Sequence, residues 1–267
     1  EKYIMKKNLN LLYFSPTDGT KKVVKEIAKG MNLEYRDFNI TLPENRKDEI
    51  CFDKNDIVII GTPTYAGRFP KLLYPYVEKI KGNNSLAVFV ATYGNRDYED
   101  SLLELKNIFE EKGFKTLAAS TFVAEHSSTS KLATKRPNEK DLSIAYEFGK
   151  KIKAKLDNLN NLVELKYINV PGKFPYVVKN IPMVPMAPET NDTCVNCGIC
   201  AKHCPTSAID FDNCKNIDEN KCIKCCSCIK RCPFNSKKIE HIAFKNMQNM
   251  LETNFAHIER NPEIFID

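Results

Sequence analysis

The chain has 267 residues, 42% of them apolar and 28% charged, which is enough for one large domain or two ordinary ones and gives no sign of disorder. Its 40 basic and 34 acidic residues leave a formal charge of +6, but the lysines are spread along the chain instead of forming a stripe, so nucleic acid is not an expected partner. No apolar run reaches the ~18 residues of a membrane span and the N-terminus shows no signal-peptide core, so a cytoplasmic protein without membrane insertion is expected.

Residues 1–8 read as a polar lead-in. Beyond them, apolar runs at Leu9–Phe14, Asp56–Ile60, Leu86–Ala91 and Thr116–Ala124, with a shorter one at Leu33–Phe38, alternate with helical patterns at Lys22–Met31, Leu72–Ile80, Leu102–Lys112 and Glu139–Leu156. A further short helix is expected near Leu42–Cys51. Strands alternating with helices predict an α/β domain over 1–159, a doubly wound parallel sheet of five strands with helices on both faces. Pro171, Pro175, Pro182, Pro185 and Pro188 then forbid a regular helix, and 160–193 reads as an extended linker across the surface. Residues 194–235 are rich in cysteine and poor in apolar side chains. From Ser236 onward, Ile239, Ile242, Met247, Met250, Leu251, Phe255 and Ile258 mark one helical stripe, so 236–267 is expected to be a C-terminal helical extension.

Ten of the eleven cysteines lie between Cys194 and Cys232, with Cys51 apart. A disulfide framework belongs to short secreted chains, and the spacing here is that of metal ligands. Cys194, Cys197, Cys200 and Cys204 form one C-x2-C-x2-C-x3-C-P run; Cys222, Cys225, Cys228 and Cys232 repeat it. Zinc sites also use C-x2-C pairs, but the triple step, the Cys-Pro ending and the duplication are the signature of the bacterial ferredoxin with two [4Fe-4S] clusters. In that signature the fourth cysteine of each run serves the other cluster. One set is then Cys194, Cys197, Cys200 and Cys232, and the other Cys222, Cys225, Cys228 and Cys204. Cys51, Cys214 and Cys226 read as small apolar side chains. Two clusters at about −2 each would remove roughly four of the formal positive charges.

After the first strand, Ser15-Pro16-Thr17-Asp18-Gly19-Thr20 leads into a helix, where free N–H groups and the helix dipole favour an anion. Pro63-Thr64-Tyr65-Ala66-Gly67-Arg68 and Thr92-Tyr93-Gly94-Asn95-Arg96-Asp97-Tyr98 follow the next two long strands, and such loops meet where open α/β sheets bind ligands. With Glu125-His126-Ser127 and Arg136-Pro137, these segments make residues 8–157 resemble a short-chain flavodoxin. The whole chain is similar to the bacterial flavodoxin–ferredoxin fusions sometimes called EFR1-family ferredoxins. The resemblance implies FMN, with its phosphate on Ser15, Thr17, Gly19 and Thr20 and with Pro16 of the same loop also in the cofactor site. Its ring would lie between Tyr65 and Tyr98, with Pro63, Thr64, Ala66, Gly67 and Asp97 beside it and Thr92, Tyr93 and Gly94 at its pyrimidine edge. It also implies that Tyr65–Arg68 is a type II turn, with positive φ at Gly67 and not at Ala66. Asp18 stands where flavodoxins usually carry glycine, and its carboxylate is expected to compete with the phosphate for N–H groups.

The function expected is electron transfer between the clusters, FMN and redox partner proteins. A flavin reductase acting on a small organic acceptor, with Tyr93 or His126 as proton donor, is one alternative. An iron–sulfur carrier whose flavodoxin part is an empty docking module is another.

Overall fold

The computed structural model describes residues 7–179 and 184–267; the lead-in at 1–6 and Pro182 lie outside the described residues. In chain order the strands and helices are β1 (Asn8–Tyr13), α1 (Gly19–Met31), β2 (Tyr35–Asn39), β3 (Ile50–Cys51), β4 (Asp56–Pro63), α2 (Tyr74–Val77), β5 (Ile80–Lys81), β6 (Leu86–Tyr93), α3 (Ser101–Glu111), β7 (Lys115–Val123), α4 (Glu139–Asn158), β8 (Glu189–Thr190), α5 (Ile199–Lys202), α6 (Ser227–Arg231), β9 (Lys237–Lys238), α7 (Ile242–Phe255) and β10 (Glu263–Phe265).

The main sheet runs β10-β7-β6-β4-β1-β2. Its five long strands are parallel in the flavodoxin-like order 2-1-3-4-5. Alternate residues separate cleanly between its faces. Leu12, Val58, Ile60 and Phe89 pack on one side; Leu9, Leu11, Ile57, Ile59 and Val88 pack on the other. Both faces are therefore covered, as parallel sheets require.

On the second face α1 and α4 touch backbone to backbone. A Cβ on Gly30 would lie 2.0 Å from the Tyr146 carbonyl oxygen, and one on Gly149 2.0 Å from that of Ile27. The start of α4 is fixed by a reciprocal cap between Asn138 and Asp141.

Four expectations need correction. The sheet has six strands, because β10 pairs antiparallel with β7, Glu263 opposite Thr121 and Phe265 opposite Ala119. The C-terminal stretch is thus not purely helical: β9 and β10 flank α7, which starts only at Ile242. The helix expected at Leu72–Ile80 is a 3-10 turn (Lys71–Leu73) and the single turn α2, since Ile80 and Lys81 leave to pair with β3. The helix expected near Leu42–Cys51 is one 3-10 turn, Pro43–Arg46.

In the described part of the proline-rich stretch, residues 165–179 contain no helix or strand and lie against the first domain. Ile168 and Val170 are buried, and the Asp100 carboxylate accepts from the Lys173 and Val177 N–H groups, each at 2.9 Å. Strands β8 and β9 then close the cysteine-rich segment at its two ends.

Candidate functional site

Each cysteine run begins as a loop and ends in a short helix that carries its third cysteine, Cys200 on α5 and Cys228 on α6. Proline disfavours helical backbone in the residue before it. Cys232, before Pro233, is accordingly extended (φ −73°, ψ 112°) and leaves the helix direction. Cys204 meets Cys222, Cys225 and Cys228 around one cavity, which Ile209, Ile217 and Ile223 also line. Cys232 meets Cys194, Cys197 and Cys200 around a second. No cysteine is in a disulfide.

The chemistry of these cavities suits thiolate ligands. The Ala208 N–H donates to Cys204 Sγ at 3.2 Å and the Ser236 N–H to Cys232 Sγ at 3.3 Å. Burial pushes Cys200 up to about 11 and Cys225 up to about 12, so the protein alone holds these thiols protonated. A cationic metal core would be what converts them to thiolate. Lys237 is 4% exposed, its Nζ donating to Thr190 Oγ1 and to the Cys214 carbonyl, each at 2.7 Å. That places a buried positive charge beside the second cavity. Cys226 packs with Ile239 and Phe244 in an apolar cluster and Cys214 is 1% exposed, while Cys51 is exposed.

The three loops of the α/β domain meet at the C-terminal ends of β1, β4 and β6. Thr20 Oγ1 lies 2.7 Å from Thr92 Oγ1, and the Thr64 N–H donates to the Thr92 carbonyl at 2.7 Å. Ser15 Oγ accepts from Lys21 N–H at 3.0 Å, which leaves the N–H groups of Thr17, Gly19 and Thr20 without a protein acceptor among the described residues. A phosphate fits those donors. Asp18 sits just before α1 with φ 64°, and its carboxylate does not reach back to them. It pairs instead with Arg231 at 2.5 Å, which corrects the expected competition.

The ring-binding residues divide. Tyr65 is half-buried at the domain seam, with Cys225 and Cys226 near its hydroxyl and Ile223 packed on the same core. Tyr98 is only 7% exposed; its hydroxyl donates to Glu263 of β10 at 3.0 Å and its ring meets Tyr93, itself 4% exposed, edge to face. Both are core residues here, so Tyr98 does not present the open face expected of a stacking ring. Asp97 Oδ1 accepts from the Glu99 N–H at 2.8 Å, and Thr64 Oγ1 lies 2.7 Å from Ser101 Oγ.

The turn at Tyr65–Arg68 also differs. Ala66 (φ 52°) and Gly67 (φ 81°) both have positive φ, and Tyr65 and Arg68 exchange two 3.0 Å backbone hydrogen bonds. This is a type I′ hairpin, not type II. Arg68 explains why: its guanidinium is held on the buried Glu104 carboxylate at 2.6–2.7 Å, which also accepts the Phe69 N–H at 2.9 Å and draws the Tyr74 hydroxyl. Those anchors fix the hairpin ends and Ala66 takes the strain.

His126 lies against Gly94, and its Nδ1 faces the Ser128 N–H (3.2 Å) and hydroxyl (2.8 Å). Burial, then the Lys230 and Arg96 charges, hold it down to about 4.

Sequence reasoning missed the residues that join the two regions. Ser227 Oγ donates to the Pro16 carbonyl at 2.7 Å, Arg231 reaches that carbonyl and Asp18, and Lys230 pairs with Glu125. Arg46 donates to the Pro205 carbonyl at 2.6 Å. The i, i+4 spacing of Ser227 and Arg231 on one helix face is the only local hint.

Residues 190–210 and 215–238 match the 4Fe-4S binding domain, so this part of the chain is an iron–sulfur-binding segment. An uncharacterised protein of Methanocaldococcus jannaschii is 25% identical over 139 residues, 50% of this chain and 89% of that protein. Among solved structures, an archaeal flavodoxin is 14% identical and covers 57% of this chain and 99% of its own, with a TM-score of 0.40. A Streptococcus pneumoniae flavodoxin is 17% identical and covers 55% of this chain and 98% of its own, also at 0.40. Among the described residues, no helix is long and apolar enough to cross a membrane.

Proposed function

We propose that the chain is a cytoplasmic electron carrier of the flavodoxin–ferredoxin (EFR1-family) type, holding two [4Fe-4S] clusters and one FMN and serving redox partner proteins. The observation that supports this reading is that the eight cysteines of the two runs divide between two cavities, four in each and each set completed by the last cysteine of the other run, with Cys226 also lining the first cavity and Cys214 the second. Four thiolates per cavity is the ligand number of a [4Fe-4S] cube. Cys204, Cys222, Cys225 and Cys228 would hold one cluster, and Cys194, Cys197, Cys200 and Cys232 the other.

FMN is supported by the N–H groups of Thr17, Gly19 and Thr20, at and just before the start of α1, which have no protein acceptor among the described residues, and by the meeting of loops 15–20, 62–67 and 92–98. Thr17, Gly19 and Thr20 would hold the phosphate, and Tyr65 would be the ring neighbour. Clusters supply one-electron steps and flavin one- or two-electron steps, while the protein supplies position and electrostatics. Arg68, Glu104 and the hairpin fix the Tyr65 loop; Thr20 and Thr92 tie the start of α1 to the end of β6.

The test is an anaerobic count of iron, acid-labile sulfide and flavin in the purified, reconstituted full chain. About eight irons and one FMN per chain are expected. Four irons would overturn the two-cluster reading, and protein free of flavin after incubation with FMN would overturn the flavin reading.

A further inference from the structure

The loop that precedes α1 is clamped from two sides by segments that carry cysteines of one cavity. On one side α6 lies between Cys225 and Cys232 and contains Cys228. Its Ser227 hydroxyl donates to the Pro16 carbonyl at 2.7 Å, and its Arg231 reaches the same carbonyl at 3.2 Å and the Asp18 carboxylate at 2.5 Å. Arg231 Nε also donates to Ser227 Oγ at 3.1 Å, so the two act as one unit. On the other side Pro205 follows Cys204. Its carbonyl accepts from Arg46 at 2.6 Å, Arg46 also grips the Ile40 and Thr41 carbonyls at 2.9 and 2.7 Å, and Thr41 Oγ1 accepts the Ser15 N–H at 2.9 Å. Both ends of the Ser15–Asp18 turn therefore hang on backbone next to Cys204 and Cys228, two of the cysteines around one cavity.

Residues 194–235 contain few apolar side chains, and the order of a segment of that kind comes from the metal it ligates. Without it, α6 and Pro205 lose their positions, the Asp18 carboxylate loses its cation, and the loop loses both anchors.

We infer that FMN binding is coupled to iron–sulfur loading through this seam, with Arg231 and Arg46 as positioning residues that hold the Ser15–Asp18 turn and keep Asp18 turned from the phosphate. The inference rests on the flavin reading proposed above. Coupling of this kind is reciprocal: bound FMN must stabilise the cluster-bearing segment as much as loading strengthens FMN binding.

The experiment measures FMN affinity by flavin fluorescence quenching in the full chain, loaded and iron-free, for the native protein and for Arg231→Ala, Arg231→Lys, Arg46→Ala and Asp18→Asn. The loaded native chain is expected to bind FMN at least about fivefold more tightly than the iron-free chain. That ratio should fall toward one in Arg231→Ala and Asp18→Asn, fall part-way in Arg46→Ala, and recover in Arg231→Lys. Iron and sulfide contents of each variant show that loading itself is intact. Equal affinities in the loaded and iron-free native chain overturn the coupling, as does a native-like ratio in both Arg231→Ala and Asp18→Asn. Failure of both the loaded and the iron-free chain to bind FMN overturns the flavin reading and the coupling with it.

Discussion

Asp18 shows how one contact across a domain seam changes the meaning of a residue. By charge alone its carboxylate opposes a phosphate; paired with Arg231, it becomes part of the clamp. His126 is the titratable counterpart at this scale. Its ring is held neutral, with its pKa lowered to about 4 by burial and by the Lys230 and Arg96 charges. In the unfolded chain a histidine titrates near 6.5, so the unfolded state takes up protons first as pH falls. The stability this residue contributes is therefore complete above about pH 6.5 and is lost between there and about pH 4. Comparison of urea unfolding for the native chain and His126→Gln at pH 7.5 and 5.5 should show the native advantage shrinking by about 1 kcal/mol at the lower pH. An unchanged difference would mean that His126 is free to protonate in the folded protein.

At the scale of elements, the closest packing is the crossing of α1 on α4, where two glycines bring the helix backbones together. Gly149→Ala would put a methyl group 2.0 Å from the Ile27 carbonyl oxygen, against backbone that cannot rotate away. Overpacking of this kind costs about 1–3 kcal/mol. A fall in melting temperature of several degrees is expected, with iron content unchanged because the crossing lies on the sheet face away from Phe69, Tyr65 and Ile223. A melting temperature equal to the native value would show that the helices separate at little cost.

For the whole molecule, the C-terminal segment returns to the first domain. Strand β10 covers the edge of β7, Glu263 receives the Tyr98 hydroxyl, Asn95 donates to the Phe255 and Ile258 carbonyls at 3.0 and 2.8 Å, and Asp267 pairs with Lys155. Removal of residues 259–267 should leave β7 as an open edge and release the loop that carries Tyr93 and Tyr98. The truncated chain is expected to melt lower and to self-associate in sedimentation at concentrations where the native chain does not. A truncated chain as stable and as dispersed as the native one would show that β10 contributes nothing to the sheet.

Local pattern was enough for the parts of this protein whose chemistry is local. Alternating apolar runs and helical stripes located the five parallel strands and helices α1, α3 and α4, because period and capping act within a few residues. The duplicated cysteine spacing marked the iron–sulfur segment for the same reason: three ligands within seven residues must wrap one centre. What tertiary structure decided is whatever depends on partners far along the chain. Asp18 meets Arg231 across 213 residues, Arg46 meets Pro205 across 159, and Tyr98 meets Glu263 across 165. Ala66 accepts positive φ because Arg68 is anchored on Glu104, and Glu263–Phe265 forms a strand because β7 offers it an edge. None of these choices lowers the energy of an isolated segment, so no local period records them; they become favourable only once segments far apart in sequence have been brought against one another.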